Sequence, residues 1–265
     1  MDYLFYKWNV LRDKIKDRYI YLFFDYDGTL TPIVETPEKA IIFQETQELL
    51  KKLSKNPKCK IAIISGRALK DIKGLIGLKG IIYAGNHGLE IEGPKIKFEA
   101  QVSPRLKSII RHINDDLVTK VSGIKGAFVE DKGLTISVHY RLVDKEDVPL
   151  LQNIITEIIN PYIVRGKIKI NPGKKVYEIK PPLNWDKGKV VLWILARQQF
   201  AQGDEKVFPI YIGDDITDED AFKALKDRGL TILVGEPGAS KAHYYLKNTE
   251  EVIRFLRQIL DLKKS

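Results

Sequence analysis

Residues 19–30 read YIYLFFDYDGTL. Six apolar or aromatic residues in succession, too few for a typical helix and closed by Asp and Gly, read as a strand buried on both faces, as strands of a parallel sheet are. On a strand, positions i and i+2 point the same way, so Asp25 and Asp27 share one site just past its end. Neighbouring carboxylates repel unless a cation neutralises them, and the pair therefore asks for a metal. Gly28 allows a sharp turn that brings backbone N–H groups toward whatever lies between the acids. An Asp- and Gly-rich turn with no further role looks the same in isolation, so the other strand ends have to decide.

Similar runs recur at 60–64, 80–83, 207–212 and 230–234, each ending in Gly or polar residues. Helical patterns at 44–53, 186–200, 217–225 and 249–262 alternate with them. Strands alternating with helices predict an α/β fold, a doubly wound parallel sheet whose ligands gather outside the carboxyl ends of its strands. The run at 207–212 leads into Gly213-Asp214-Asp215, a second carboxylate pair at such an end. With Asp25 and Asp27 it makes four converging carboxylates. Oxygen-only ligation without a Cys or His cluster suits a hard ion that keeps waters, and Mg²⁺ is the natural choice. Thr217 with Asp220 three residues later reads as a helix-capping box and is left out of the metal set. Ser65-Gly66-Arg67 follows the second strand with a hydroxyl, a flexible backbone position and a guanidinium, which suit a phosphate oxygen, although a serine N-cap looks similar. Lys187, at the start of a helix, can reach back to the same edge. A phosphate cradle beside an acid pair and a metal is a complete set for phosphoryl transfer.

The middle of the chain has another rhythm. Leu106, Ile109, Ile110, Ile113 and Leu117 recur at helical spacing after the N-cap and first-turn pair Ser103-Pro104. A second helix is expected over about residues 147–159. Each helix precedes two strand-like runs: 127–130 and 134–141 around Asp131-Lys132-Gly133, then 162–170 and 174–180 around Asn171-Pro172-Gly173. The order is αββαββ, an inserted α+β module at 102–181 returning through Pro181-Pro182, with 1–101 and 182–265 as the sheet core. Within 134–141, Leu134, Ile136, Val138 and Tyr140 alternate with Thr135, Ser137, His139 and Arg141. Both helices are expected on the apolar face, leaving an open polar face. The insert holds 14 basic and 9 acidic residues. That excess is either an attraction for an anionic ligand or solvated lysine.

Composition narrows the function. Among 265 residues, 44% are apolar and 30% charged, with a net charge of +9, so the chain can bury a substantial core. No apolar stretch approaches the ~20 residues a bilayer crossing needs. The N-terminus lacks the pattern of a secretory signal, and the single cysteine, Cys59, cannot form an intrachain disulfide, so a cytoplasmic protein is expected. Cys59 reads as a core residue, and His112 and His243 as ordinary surface or helix residues. The charge alone admits a nucleic-acid role, but no nucleic-acid motif is present and the acid cluster opposes phosphate without a metal.

Taken together, DYDGT at 25–29, SGR at 65–67, Lys187 and GDD at 213–215 resemble the haloacid dehalogenase (HAD) superfamily of phosphatases, a Rossmann-like fold. More narrowly, DYDGTLTPI at 25–33, GNHG at 85–88, SVHYR at 137–141 and GDDITDEDAF at 213–222 are similar to the trehalose-6-phosphate phosphatase family. The resemblance spans nearly the whole chain and departs from the family pattern at Asn86 and Asp186. It implies a phosphatase that frees trehalose from trehalose 6-phosphate, with Asp25 as nucleophile and Asp27 as acid and base. Mg²⁺ would be held by Asp25, the Asp27 carbonyl and Asp214 with help from Asp215, and the phosphoryl oxygens by Ser65, Gly66 and Lys187. The insert is implied to be a mobile cap in which Lys174 and Glu178 bind sugar hydroxyls, with His139, Arg141, Arg67 and, from the core, His87 contributing. A monomer is expected, with no nucleic-acid or membrane partner and a trehalose-6-phosphate synthase as supplier of substrate. Another sugar phosphatase, for sucrose or mannosylglycerate phosphates, or a silent sugar-phosphate sensor, is the alternative.

Overall fold

The structure, a computed structural model, describes residues 1–202 and 207–264. The chain begins with β1 (Asp2–Tyr3) and α1 (Trp8–Ile15). It continues through β2 (Tyr19–Phe24), α2 (Gln44–Ser54), β3 (Cys59–Ile64), α3 (Leu69–Ile76), β4 (Ile82–Gly85), β5 (Glu90–Gly93) and β6 (Ile96–Glu99). Next come α4 (Pro104–Val121), β7 (Phe128–Asp131), β8 (Ile136–His139), α5 (Val148–Val164), β9 (Lys169–Gly173) and β10 (Val176–Lys180). The last stretch is α6 (Lys187–Gln202), β11 (Val207–Gly213), α7 (Glu219–Leu225), β12 (Leu230–Val234), β13 (Tyr244–Leu246) and α8 (Thr249–Lys264). Two compact units result, residues 1–98 with 185–265, and residues 99–184.

The larger unit holds a nine-stranded sheet in the order β1-β13-β12-β11-β2-β3-β4-β5-β6. The strands pair in parallel from β1 through β4, and β5 runs antiparallel to β4. Every residue of β2 is buried, which explains its continuous apolar run. Ile20, Leu22 and Phe24 face a core shared with α1, α2, α3 and α8, while Tyr21 and Phe23 face the core shared with α6 and α7. The chain winds from β2 toward β3 on one side and later from β11 toward β12 on the other. The gap between β2 and β11 is therefore the point where strand order reverses, and both carboxylate pairs follow those two strands. Cys59 is buried in this core, and burial pushes its thiol up to about 12.

The smaller unit has a four-stranded antiparallel sheet, order β7-β8-β10-β9. Ile136, Val138 and Ile179 pack with Ile110, Ile113 and Leu117 of α4 and Leu151, Ile155 and Ile158 of α5. Both helices thus cover the apolar face, as the alternation predicted. Two expectations fail. The segment from Tyr162 does not begin a strand, because α5 continues past Pro161 to Val164; Tyr162 and Ile163 pack on this core, and that burial outweighs the proline. The hairpin turns at Lys174-Lys175, with Lys175 at φ 67, and Asn171-Pro172-Gly173 lie in β9. Pro172 is tolerated because β9 is an edge strand. The sheet's polar side does not present bare charges: Lys132 stands between Glu130 and Glu178, and His139 bonds Glu130.

Candidate active site

The site begins with a loop tied tightly to itself. Past β2, the N–H groups of Thr29, Leu30 and Thr31 all donate to the Tyr26 carbonyl, and Gly28 N–H donates to the Thr31 carbonyl at 2.8 Å. Gly28 has φ +89, and a Cβ there would stand 2.2 Å from Asp214 Oδ2. Only glycine lets the Asp25 loop and the Asp214 carboxylate come this close. Asp25, Asp214 and Asp218 each place one carboxylate oxygen within 4.8 Å of the others.

Lys187, the first residue of α6, lies buried among them. Its Nζ donates to Asp25 Oδ1 and to Asp218 Oδ1, both at 2.7 Å. Burial pulls this ammonium down, but Asp218 and Asp25 outweigh it and hold Lys187 well above its usual range. Burial pushes the Asp25 carboxyl well up, with Lys187 opposing and Asp218 and Asp214 adding to the rise. Asp218 is a residue the sequence reading missed. Its Oδ1 also accepts from the Tyr211 hydroxyl at 2.7 Å, and its Oδ2 accepts from the N–H groups of Asp214 and Asp215 at 3.0 and 2.9 Å. The capping box expected at Thr217 and Asp220 lies two residues earlier, at Asp215 and Asp218. The Asp215 carboxylate accepts from Ile216 N–H at 2.7 Å and lies outside the acidic trio. Both spacings are three residues, and only the partners 31 residues away at Lys187 mark the true one.

The Asp27 side chain is also outside the trio. It is gripped by Arg67, with Nε and Nη2 donating to its two oxygens at 2.8 and 2.7 Å, while the guanidinium lies over the Tyr26 ring. A fork-to-fork pair of this kind fixes the carboxylate's plane. Ser65 is buried, and its Oγ accepts from Arg67 N–H at 3.2 Å. Ser65 is not the N-cap of α3, since that position falls to Ala68. The 65–67 loop is bound to the next one: Asn86 N–H donates to the Arg67 carbonyl and His87 N–H to the Ser65 carbonyl. Asn86 and His87 have φ 49 and 54, and a Cβ on Gly66 would lie 2.6 Å from His87 Nε2. The left-handed turn thus lays the imidazole directly on Gly66. Asp186 caps α6 by accepting from Lys189 N–H at 2.8 Å.

The trio fits a divalent cation by its chemistry: clustered, largely buried carboxylate oxygens with no sulfur or imidazole among them. Asp218 already takes four donors on its two oxygens.

The remaining candidates belong to the smaller unit. His139 Nε2 bonds Glu130 Oε2 at 2.7 Å, and its ring stacks on Phe128 at 4.4 Å. Lys132 Nζ stands 3.8 Å from Glu130 and 3.9 Å from Glu178. Arg141 donates to the Lys174 carbonyl at 2.7 Å. Lys174 is in the turn, not on the strand with Glu178 as expected. In register, Glu130, Ser137, Glu178 and Asn171 form one row across the sheet. Glu130 was read only as a strand end and Lys132 only as a turn residue, because nothing local in the sequence sets them beside Glu178. His243 bonds Thr231 and His112 pairs with Asp116, both away from these groups.

Comparison with known proteins agrees with this arrangement. Residues 23–250 match the family described as Trehalose-phosphatase. The chain is 38% identical over 261 residues to probable trehalose-phosphate phosphatase D of Arabidopsis thaliana, covering 94% of this chain and 69% of that protein. It is 36% identical over 263 residues to trehalose-phosphate phosphatase B of the same plant, covering 94% and 68%. The C-terminal domain of C. albicans trehalose-6-phosphate phosphatase superposes with a TM-score of 0.80 at 25% identity, covering 96% of each chain. No helix among the described residues is long and apolar enough to cross a membrane.

Proposed function

The chain belongs to the trehalose-phosphatase family, and from that premise we propose that it hydrolyses trehalose 6-phosphate through an aspartyl-phosphate on Asp25. The observation that carries the mechanism is the buried Asp25 at the strand-order reversal, bonded to Lys187 and close to Asp214. An Asp25 carboxylate oxygen attacks phosphorus in line, and the bond to the sugar oxygen breaks as Asp27 gives that oxygen a proton. Asp27 then takes a proton from the water that attacks the aspartyl-phosphate, releasing phosphate and restoring Asp25. Lys187, Ser65 and the Gly66 backbone hold the phosphoryl oxygens, and Asp27 leaves the Arg67 fork, which here engages both its oxygens, to carry the proton. Mg²⁺ held by Asp25, the Asp27 carbonyl and Asp214 would supply the charge shielding that lets an anion attack an anion. Asp215 serves as a cap in this reading.

The core, 1–101 with 182–265, carries the chemistry and the insert at 102–181 recognises the sugar through Glu178, Lys174, Arg141 and His139. His87, lying on Gly66, is the core's contribution to substrate binding. We place the enzyme in the cytoplasm as a monomer, with a trehalose-6-phosphate synthase as the source of its substrate; one buried cysteine suits a reducing compartment.

Phosphate release from trehalose 6-phosphate, glucose 6-phosphate, sucrose 6-phosphate and p-nitrophenyl phosphate, each with Mg²⁺ and with EDTA, tests the reading. Preference for trehalose 6-phosphate that EDTA abolishes, and a folded but inactive Asp25→Asn variant, are expected. Broad activity would discard the sugar assignment, and normal turnover by Asp25→Asn would discard the mechanism.

A further inference from the structure

Strand β11 reads VFPIYIG, and Tyr211 is its one hydroxyl-bearing residue. The strand lies between β2 and β12, and the tyrosine is 0% exposed. Phenylalanine would fill nearly the same space and keep the edge-on contact with Phe222, at 5.8 Å and 82°, without a polar atom to satisfy. Packing alone therefore gives no reason for the hydroxyl, and a buried phenol must find a partner inside the protein.

That partner is the acidic hub of the site. The Tyr211 hydroxyl donates at 2.7 Å to Asp218 Oδ1, the oxygen that also receives Lys187 Nζ at 2.7 Å. Lys187 in turn divides its donors between Asp218 and Asp25. With Oδ2 held by two backbone N–H groups, the Asp218 carboxylate is fixed in plane, and Oδ1 is shared between phenol and ammonium. Two donors compete for the charge of that one oxygen, so the positive end of the phenol O–H offsets part of its pull on the lysine. More of the ammonium is then left for Asp25 and for an arriving phosphoryl oxygen. Burial, reinforced by Asp218, pushes the phenol well up, so it remains a donor across the working range.

We propose that Tyr211 is a positioning residue for phosphoryl transfer, its hydroxyl fixing Asp218 and thereby setting how Lys187 is shared between Asp218, Asp25 and the bound phosphate. The proposal rests on the reading of Lys187 as a phosphate holder.

The test is a double-mutant cycle of Tyr211→Phe and Lys187→Met. Calorimetric affinities for inorganic phosphate with Mg²⁺ present and for Mg²⁺ alone are measured, together with melting temperatures. Tyr211→Phe should weaken phosphate binding about tenfold, as expected for deletion of a bond to a charged group, while Mg²⁺ affinity stays within about twofold. In the Lys187→Met background the same change should add little, because its path runs through the lysine. Phosphate affinity kept within about twofold by Tyr211→Phe, whatever its melting temperature, would show a packing residue and overturn the proposal. So would losses that simply multiply in the double variant. If Lys187→Met binds phosphate like the wild type, the reading of Lys187 itself fails and Tyr211 falls with it. Should Lys187→Met not fold, the split between phosphate and Mg²⁺ affinity in Tyr211→Phe decides alone.

Discussion

At the scale of single residues, the site depends on how near two loops can come. Gly28 combines φ +89 with a Cβ position 2.2 Å from Asp214 Oδ2, so Gly28→Ala must both strain the backbone and push a carboxylate out of the acidic trio. Divalent-metal affinity should fall about 10- to 100-fold, the usual cost of displacing a group that sets a metal ligand's position. A calorimetric Mg²⁺ titration of the metal-free variant checks this, and unchanged affinity would remove Asp214 from the metal set. Asp25 and Asp214, which the structure brings together, stand at strand ends, and the strand period and the position at a strand end are local signals. Asp218 gives no such signal. Its partners Lys187 and Tyr211 come from a helix start and from the preceding strand, and one box spacing hides another among the acids of 214–220.

At the scale of elements, short-range chemistry was legible where it was strong. Ser103 accepts from Leu106 N–H at 3.3 Å with Pro104 in the first turn of α4, the pair the sequence predicts. Ser103→Ala should cost the smaller unit about 1 kcal/mol, the common value of an N-cap, seen as a lower denaturant midpoint with an unchanged slope. A shift below about 0.3 kcal/mol would mean that the cap is replaced by water. The long buried strands were found to within two residues. Those that escaped were β1, β5, β6 and β13, of two to four residues each, and the eight-residue helices α1 and α3, the latter with Gly74 inside it. Such strands carry too few residues to display a period and owe their form to pairing toward the ends of the sheet, and two helical turns show a period only faintly. The errors around Pro161 and Pro172 share one cause. Proline is a local breaker, but packing of Tyr162 and Ile163 in one case and an edge position in the other overrule it.

For the whole molecule, two periodicities sort the chain into two kinds of sheet: continuous apolar runs in the large one, alternation in the small one. That contrast made the α/β class and the αββαββ order of the insert readable without structure. What it could not supply was the state of the small sheet's polar face. Polar and charged groups set there must find partners, and Glu130, Lys132, His139 and Glu178 do so. A row of hydroxyl and carboxylate groups already ordered by its neighbours is suited to sugar hydroxyls, because each lost partner leaves a buried polar atom unsatisfied. If the insert supplies discrimination while the core supplies chemistry, a change in this row should alter preference more than catalysis. Glu178→Gln keeps the shape but removes the charge that faces Lys132. Its ratio of kcat/KM for trehalose 6-phosphate to that for p-nitrophenyl phosphate should fall about 10- to 100-fold, with circular dichroism confirming an intact fold. An unchanged ratio would move sugar recognition off this row, leaving Arg141 and Lys174 at the hairpin end, and His87 in the core, to account for it.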